Sequence, residues 1–293
     1  MDGLSLQLES RRDRLLAELR ALPSLGVLLS GGVDSAVMAK AAFLALGEKA
    51  VAFTGVSDSL AEGELQQARS VAERIGIRHE IIATQEQASP EYRRNAPDRC
   101  FHCKTELYTK AQEIAQRLGV THLANGANAD DVGDHRPGMR AARDFDVLSP
   151  LLSAGLTKEE VRALARHWEL PVAEKPAAPC LASRVAYGVE VTPKRLKKID
   201  AAEQWLREHG VSPVRVRLHA GEVARIEAPP EWIARLAADP LRSQLNQHLT
   251  ALGFTFVTID LGGFRSGSLN AAAPVDQLER ISDFGFQRAH KML

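Results

Sequence analysis

Residues 27–35 read VLLSGGVDS: an apolar run, two adjacent glycines, then an acid and a serine. Val27, Leu28 and Leu29 have the character of a buried strand, and the DSAVMAKAAFLALG segment that follows has that of a helix. Gly31 and Gly32 let the backbone turn tightly and expose its N–H groups with no Cβ in the way. The helix adds its own unsatisfied N-terminal N–H groups and the positive end of its dipole. Such a turn is a phosphate site. It is not a Walker loop, because no lysine follows the glycines. Asp34 puts a negative charge where a bare anion site would want none, and a Mg²⁺ bridging Asp34 to phosphate oxygens resolves the conflict. The competing reading is an ordinary Gly-rich turn entering a helix.

Outward from this stretch, strand-like runs alternate with amphipathic ones. AVAFTGVS precedes LAEGELQQARSVAERIG, RHEIIAT leads to CKTELYTKAQEIAQRLG, and THLANGAN and FDVLSPLL continue the series. This alternation predicts an α/β fold, a parallel sheet covered on both faces, with ligands at the carboxyl ends of its strands. The pattern changes in PVAEKPAAPCLASRVAYG, whose three prolines read as an ordered loop. Beyond it the expected elements are helix TPKRLKKIDAAEQWLREHG with Pro193 in its first turn, strands PVRVRLH and ARIEA, a helix broken at Pro240, and strand FTFVTIDL. The expected division is a phosphate-binding domain at 1–189 and a smaller α+β domain at 190–293.

The 293 residues are 45% hydrophobic and 25% charged, the composition of an ordinary globular protein. Lys plus Arg and Asp plus Glu are both 37, so no net charge draws the chain toward nucleic acid or a membrane. MDGLSLQLESRRDRLLAELR carries leucines at helical spacing and reads as an amphipathic helix, not a signal peptide. No apolar run approaches membrane-spanning length. Three cysteines without a secretion signal point to a cytoplasmic thiol or metal role over a disulfide framework.

SGGVDS resembles the PP-loop of the ATP pyrophosphatases, which include GMP synthetase, NAD synthetase and tRNA thiolation enzymes. The resemblance implies cleavage of ATP between its α and β phosphates, with residues Ser30, Gly31, Gly32, Val33, Asp34 and Ser35 holding pyrophosphate and its magnesium. Together with ANGANADD, CLASR, VRVRLH and LGGFRSGSLN, in that order, the chain resembles the LarE family of ATP-dependent sulfur transferases over nearly its whole length. That family's substrate is pyridinium-3,5-biscarboxylic acid mononucleotide, whose carboxylates become thiocarboxylates on the way to the nickel-pincer cofactor of lactate racemase. The resemblance also implies a homohexamer.

Asn125 to Asp131 follow the THLA strand, and adjacent Asp130 and Asp131 suit Mg²⁺, Asp131 being grouped with Asp34 as its ligands and Gly126 and Asn128 with the nucleotide. A polar loop capping the next element is the alternative. Cys100 and Cys103 share one face of a helix start, with Asp98 as its N-cap. A C-x-x-C alone suits a redox pair, half a zinc site or two buried small residues. With Cys180, three thiolates on a [4Fe–4S] cluster leave one iron open for hydrosulfide, and zinc on the three cysteines plus His102 competes. Some LarE members keep only the cysteine of CLASR, which gives up its own sulfur and ends as dehydroalanine. This chain resembles the three-cysteine form, in which a cluster carries the sulfur, from a donor not legible here. Arg215 and Arg217 alternate with valines and so leave one strand face, suited to phosphate or carboxylate unless merely solvated. Ser183 and Arg184 are similar candidates beside Cys180. Cys180, Asp34 and Ser30 are the expected catalytic residues. Rival readings are a tRNA thiolation enzyme, which needs a basic RNA surface, and a non-catalytic ATP sensor.

Overall fold

The computed structural model describes residues 4–131, 137–265 and 267–269. Ser266 and Asn270 of LGGFRSGSLN lie outside them. The chain forms two compact units, residues 1–86 with 100–178, and residues 87–99 with 179–293.

The first unit is built on a parallel sheet of β1 (Leu25–Leu28), β2 (Ala50–Val56), β3 (Arg78–Ala83) and β4 (His122–Ala124), in the order β3-β2-β1-β4. Helices Leu6–Arg20, Val33–Leu46, Glu64–Ile75 and Lys158–His167 supply one core, in which Leu15, Val27, Met38, Val71 and Leu164 are buried. Helix Arg99–Leu118 contributes Tyr108 and Ala111 to a second, with Phe53 and Leu123 from the sheet. The α/β alternation predicts this arrangement, because strands buried on both faces read as continuous apolar runs. Chain order reverses between β1 and β4, so the crevice for a ligand lies at the carboxyl ends of these two strands. The loops leaving them carry SGGVDS and ANGANADD.

Helix Val33–Leu46 is buried on nearly every side, at Val33, Ala36, Val37, Met38, Ala39, Ala41 and Ala42. A helix apolar all round is a central one, and its N-terminus is therefore a rigid platform. FDVLSPLL departs from the expected strand. Only Leu148 pairs, in a single bridge to Ala124, and Pro150 then opens a short helix, Pro150–Ser153. Proline has no N–H for a ladder but fits the first turn of a helix.

In the second unit β5 (Arg215–His219) runs antiparallel to β6 (Val223–Glu227), which pairs in parallel with β7 (Phe256–Ile259). Val216, Leu218, Ala224 and Ile226 form the buried apolar face of this sheet, and helix Pro193–Glu208, with Leu196, Ile199 and Leu206 buried, packs on β5. Thr192 caps the long helix by accepting from Arg195 N at 3.3 Å, and Pro193 takes its first position. Pro240 separates helices Pro230–Leu236 and Leu241–Ala251. The segment 87–99, with helix Pro90–Arg93, belongs to this unit although it precedes helix Arg99–Leu118 in sequence.

Candidate active site

The loop after β1 is built chiefly from backbone. Gly31 has φ +75°, a left-handed conformation that costs an L side chain about 1–2 kcal/mol. A Cβ there would also lie 3.3 Å from Ala68 N. Gly32 is the N-cap residue of helix Val33–Leu46 and offers no side chain to its orphan N–H groups, which leaves them for a ligand. Ser35 Oγ donates to Gly32 O at 3.0 Å, accepts from Ser30 N at 3.1 Å and lies 3.1 Å from Ser30 Oγ. The two hydroxyls thus brace the turn from inside.

The loop after β4 closes on this turn. A Cβ on Gly126 would come within 2.8 Å of Ser35 N, so only glycine permits the approach. Asn128, nearly fully buried, donates from Nδ2 to Asp34 Oδ1 at 3.0 Å. Its backbone N–H donates to Asp131 Oδ2 at 3.0 Å, and its Oδ1 accepts from Asp130 N at 2.9 Å. The fold therefore brings Ser30, Asp34, Ser35, Gly126, Asn128 and Asp131 together from two motifs almost a hundred residues apart.

Two lysines complete the cradle without a motif to announce them. Lys158 Nζ pairs with Asp34 Oδ2, and its backbone N–H donates to Asp130 Oδ2 at 2.8 Å. It is the first residue of helix Lys158–His167, whose start is held by a capping box between Thr157 and Glu160. Lys175 Nζ donates to Gly31 O at 3.1 Å and to Glu64 Oε2 at 2.7 Å. Arg162 fixes its backbone through Ala173 O and Lys175 O, at 2.5 and 3.0 Å. The T-K-E-E sequence at 157–160 marks a helix start, but nothing in it marks Lys158 as a partner of Asp34.

Among the described residues no three Cys, His, Asp or Glu side chains converge to hold a metal ion. Magnesium asks less than that, since one or two carboxylates with phosphate oxygens and waters satisfy it. Asp34 and Asp131, both hydrogen-bonded to Asn128, fit such a donor set. A cluster held by protein thiolates asks more. Cys100 and Cys103 lie on the first turn of helix Arg99–Leu118, directly after Asp98, whose carboxylate accepts from Arg94 at 3.2 Å. Cys180 precedes a 3₁₀ turn, Leu181–Arg184, of the second unit. All three cysteines are free of disulfides, with Cys100 and Cys180 exposed and Cys103 half-buried. The three cysteines are thus divided between the two units.

Around Cys180 the second unit is built from side chains. Ser183 donates to Cys180 O from its N–H at 3.0 Å and its hydroxyl at 2.7 Å. Arg184, 3% exposed, donates to Cys180 O at 2.9 Å, reaches Pro179 O, and forms a two-pronged pair with Glu203 at 3.0 and 3.2 Å. Glu203, 1% exposed, also accepts from Val216 N at 3.1 Å. Arg217 is buried and engages Glu227 Oε2 twice, at 3.0 and 2.9 Å, and Ser183 O at 3.2 Å. Glu227 is wholly buried and also meets Arg225 and Ser268. Arg217 is therefore an internal ion-pair partner and not part of a solvated strand face. Arg215 is half-buried, its guanidinium 5.4 Å from the centre of the Phe264 ring. Burial, with the charge of Arg184 nearby, pushes its pKa down to about 10, which still leaves it protonated at neutral pH. These buried carboxylates were not legible as partners, because the Arg217–Glu227 pair runs diagonally across the β5–β6 register, where Arg217 faces Arg225.

Residues 12–132 match the protein family described as asparagine synthase. The chain is 33% identical to the pyridinium-3,5-bisthiocarboxylic acid mononucleotide synthase of Lactiplantibacillus plantarum, over 92% of this chain and 98% of that protein. It is 43% identical to an uncharacterised Synechocystis protein over 90% of this chain and 98% of that one. A tRNA-specific 2-thiouridylase of a Caulobacter species is 28% identical, over 56% of this chain and 51% of that protein. No helix among the described residues is long and apolar enough to cross a membrane. The likeness to the mononucleotide synthase runs through both units, whereas the thiouridylase match covers about half of each chain. The chain belongs to the LarE family of ATP-dependent sulfur transferases, within the PP-loop superfamily.

Proposed function

We propose that this enzyme activates a carboxylate of pyridinium-3,5-biscarboxylic acid mononucleotide with ATP and replaces the activated oxygen with sulfur. The observation that carries the reading is the cradle after β1, an uncapped helix N-terminus beside Gly31, joined by Asp34, Asn128 and Lys158. A substrate carboxylate oxygen attacks the α phosphate of ATP, pyrophosphate leaves, and the acyl adenylate then loses AMP to a sulfur nucleophile. The helix N–H groups and the Ser30 hydroxyl hold the leaving pyrophosphate over a turn braced by Ser35, and Lys158 and Lys175 supply fixed positive charge. Magnesium, held by Asp34 and Asp131, would neutralise phosphate charge. Arg215, half-buried and protonated at neutral pH, is assigned to a substrate anion, while Arg184 and Arg217 order the ground beneath Cys180.

Cys180 is the thiol assigned to sulfur delivery. It is exposed and sits on an ordered turn, which suits a nucleophile that must meet a bound acyl adenylate. A [4Fe–4S] cluster on Cys100, Cys103 and Cys180 is the three-cysteine form of this reading, with hydrosulfide on the open iron. Iron and sulfide content of protein purified without oxygen decides between the two. About four irons per chain, lost in Cys100→Ala, supports the cluster. Iron-free protein whose Cys180 loses its sulfur after turnover supports sacrifice of that residue.

The activating step is tested by nucleotide products. With ATP, Mg²⁺ and the pyridinium mononucleotide, AMP and pyrophosphate should accumulate, and Asp34→Ala should slow their release by about 10²–10³-fold. ADP and phosphate as the main products would contradict the reading. The family's homohexameric assembly and cytoplasmic setting are proposed for this chain on its family membership.

A further inference from the structure

The turn that carries Cys180 has no ladder of its own, and its carbonyls are met partly by its own N–H groups, Ser183 N on Cys180 O and Val185 N on Ala182 O, and partly by side chains. Arg184 takes those of Pro179 and Cys180, and Arg217 takes that of Ser183. Three more contacts come from a segment some ninety residues earlier. Asn95 is wholly buried with φ +56°, and its side-chain amide donates to Val185 O at 3.2 Å and Ala186 O at 2.8 Å. Arg99, 6% exposed, donates from one nitrogen to Asn95 Oδ1 and to Ala182 O, both at 2.6 Å. The backbone joins in, with Gly188 N donating to Asn95 O at 3.1 Å and Val191 N to Arg93 O at 2.8 Å.

We propose that Asn95 and Arg99 are positioning residues for Cys180, a clamp that holds the buried half of its turn while the thiol stays exposed. Leu181, Ala182 and Val185 are buried, whereas residues 176–180 are exposed, so the buried part of the turn begins directly after the cysteine. Burying an arginine and an asparagine is unfavourable unless their hydrogen bonds are met. Here they are met by three carbonyls of one short loop. Asparagine suits the position for two reasons: it tolerates a left-handed backbone, and its amide supplies two donors and one acceptor. A thiol that must meet an acyl adenylate gains from one fixed orientation, since a misplacement near 1 Å can cost about a hundredfold in rate. This inference rests on the assignment of sulfur delivery to Cys180.

Asn95→Gly keeps the backbone conformation and removes all three side-chain hydrogen bonds. Asn95→Asp keeps the acceptor for Arg99 and removes both amide donors. Amide hydrogen exchange over residues 181–191, read by mass spectrometry, should rise about tenfold to a hundredfold in Asn95→Gly, while helix Val33–Leu46 exchanges as in the wild type. With ATP and the pyridinium mononucleotide, pyrophosphate release should stay within about twofold, and thiocarboxylate formed per pyrophosphate should fall about tenfold. A merely structural role lowers both products together. Arg99→Lys, which keeps the cation, should give a smaller version of the same split and covers the case in which Asn95→Gly fails to fold. Unchanged exchange in a folded variant overturns the clamp. Raised exchange with unchanged thiocarboxylate per pyrophosphate overturns the positioning role. Wild-type enzyme that releases pyrophosphate without any thiocarboxylate contradicts the proposed function instead, and the exchange result still decides the clamp.

Discussion

The phosphate cradle and the Cys180 turn solve the same problem, holding an irregular loop still, by opposite means. The cradle is chiefly a backbone device, with main-chain N–H groups among its donors and a shape that comes from Gly31 and Gly126. The Cys180 turn leans on side chains, with Arg184, Arg217 and the Asn95–Arg99 pair reaching carbonyls from three places in the chain. A backbone device fails through conformation, when a Cβ is added where none fits. A side-chain device fails through electrostatics, when one member of a buried pair is removed and its partner is left charged in the interior.

The sharpest break falls in the second unit. Glu203→Leu leaves Arg184 buried without its carboxylate, which should destabilise that unit by about 3–5 kcal/mol in chemical denaturation. Adding Arg184→Met should recover most of that loss, because no charge is then stranded. If the single variant is as stable as the wild type, the pair is not what holds the turn.

Gly31→Ala probes the backbone device and should act more gently on stability. The positive φ alone should cost about 1–2 kcal/mol, and the contact with Ala68 N adds to it. Pyrophosphate release should fall further than stability does, since the displaced peptide carries phosphate donors. A variant with wild-type release would show that the turn does not shape the cradle.

The smallest expected effect is a pH dependence that touches both units. Burial lowers the pKa of His79, whose Nε2 lies 2.7 Å from Thr54 Oγ1, while Thr54 donates to Leu29 O next to the cradle. Burial, with Arg225 nearby, also lowers that of His219, whose Nε2 accepts from Arg225 at 3.0 Å. Each histidine is therefore neutral in the folded state at pH values where the unfolded chain already binds a proton. Stability should fall as pH drops below the ordinary histidine pKa of about 6.5, and that slope should diminish in His79→Gln and in His219→Gln. An identical slope in both variants would assign the pH dependence to other groups.

This contrast also explains what the sequence disclosed. Val27 to Ser35 could be read as strand, turn and helix because the residues that form this turn are local, and apolar periodicity carries the four-stranded sheet in the same way. Lys158 and Lys175 were not legible as members of the cradle, since each reaches it only through tertiary packing. FDVLSPLL has the composition of a strand, yet Pro150 stops it after one bridge. The VRVR alternation places two arginines on one face but says nothing of Glu227, which meets Arg217 only through the diagonal of an antiparallel register. Asn95 and Arg99 carry no local signal at all. Their partners lie about ninety residues later, and only the folded chain pairs them.

The central claim is that the nucleotide chemistry of the first unit serves sulfur transfer. It is tested most directly by the mass of the pyridinium mononucleotide after incubation with enzyme, ATP and Mg²⁺. The account predicts a product in which one carboxylate oxygen has been exchanged for sulfur, formed together with AMP and pyrophosphate and absent with Cys180→Ala. An unaltered mononucleotide, or thiolated product made equally well by Cys180→Ala, would contradict it.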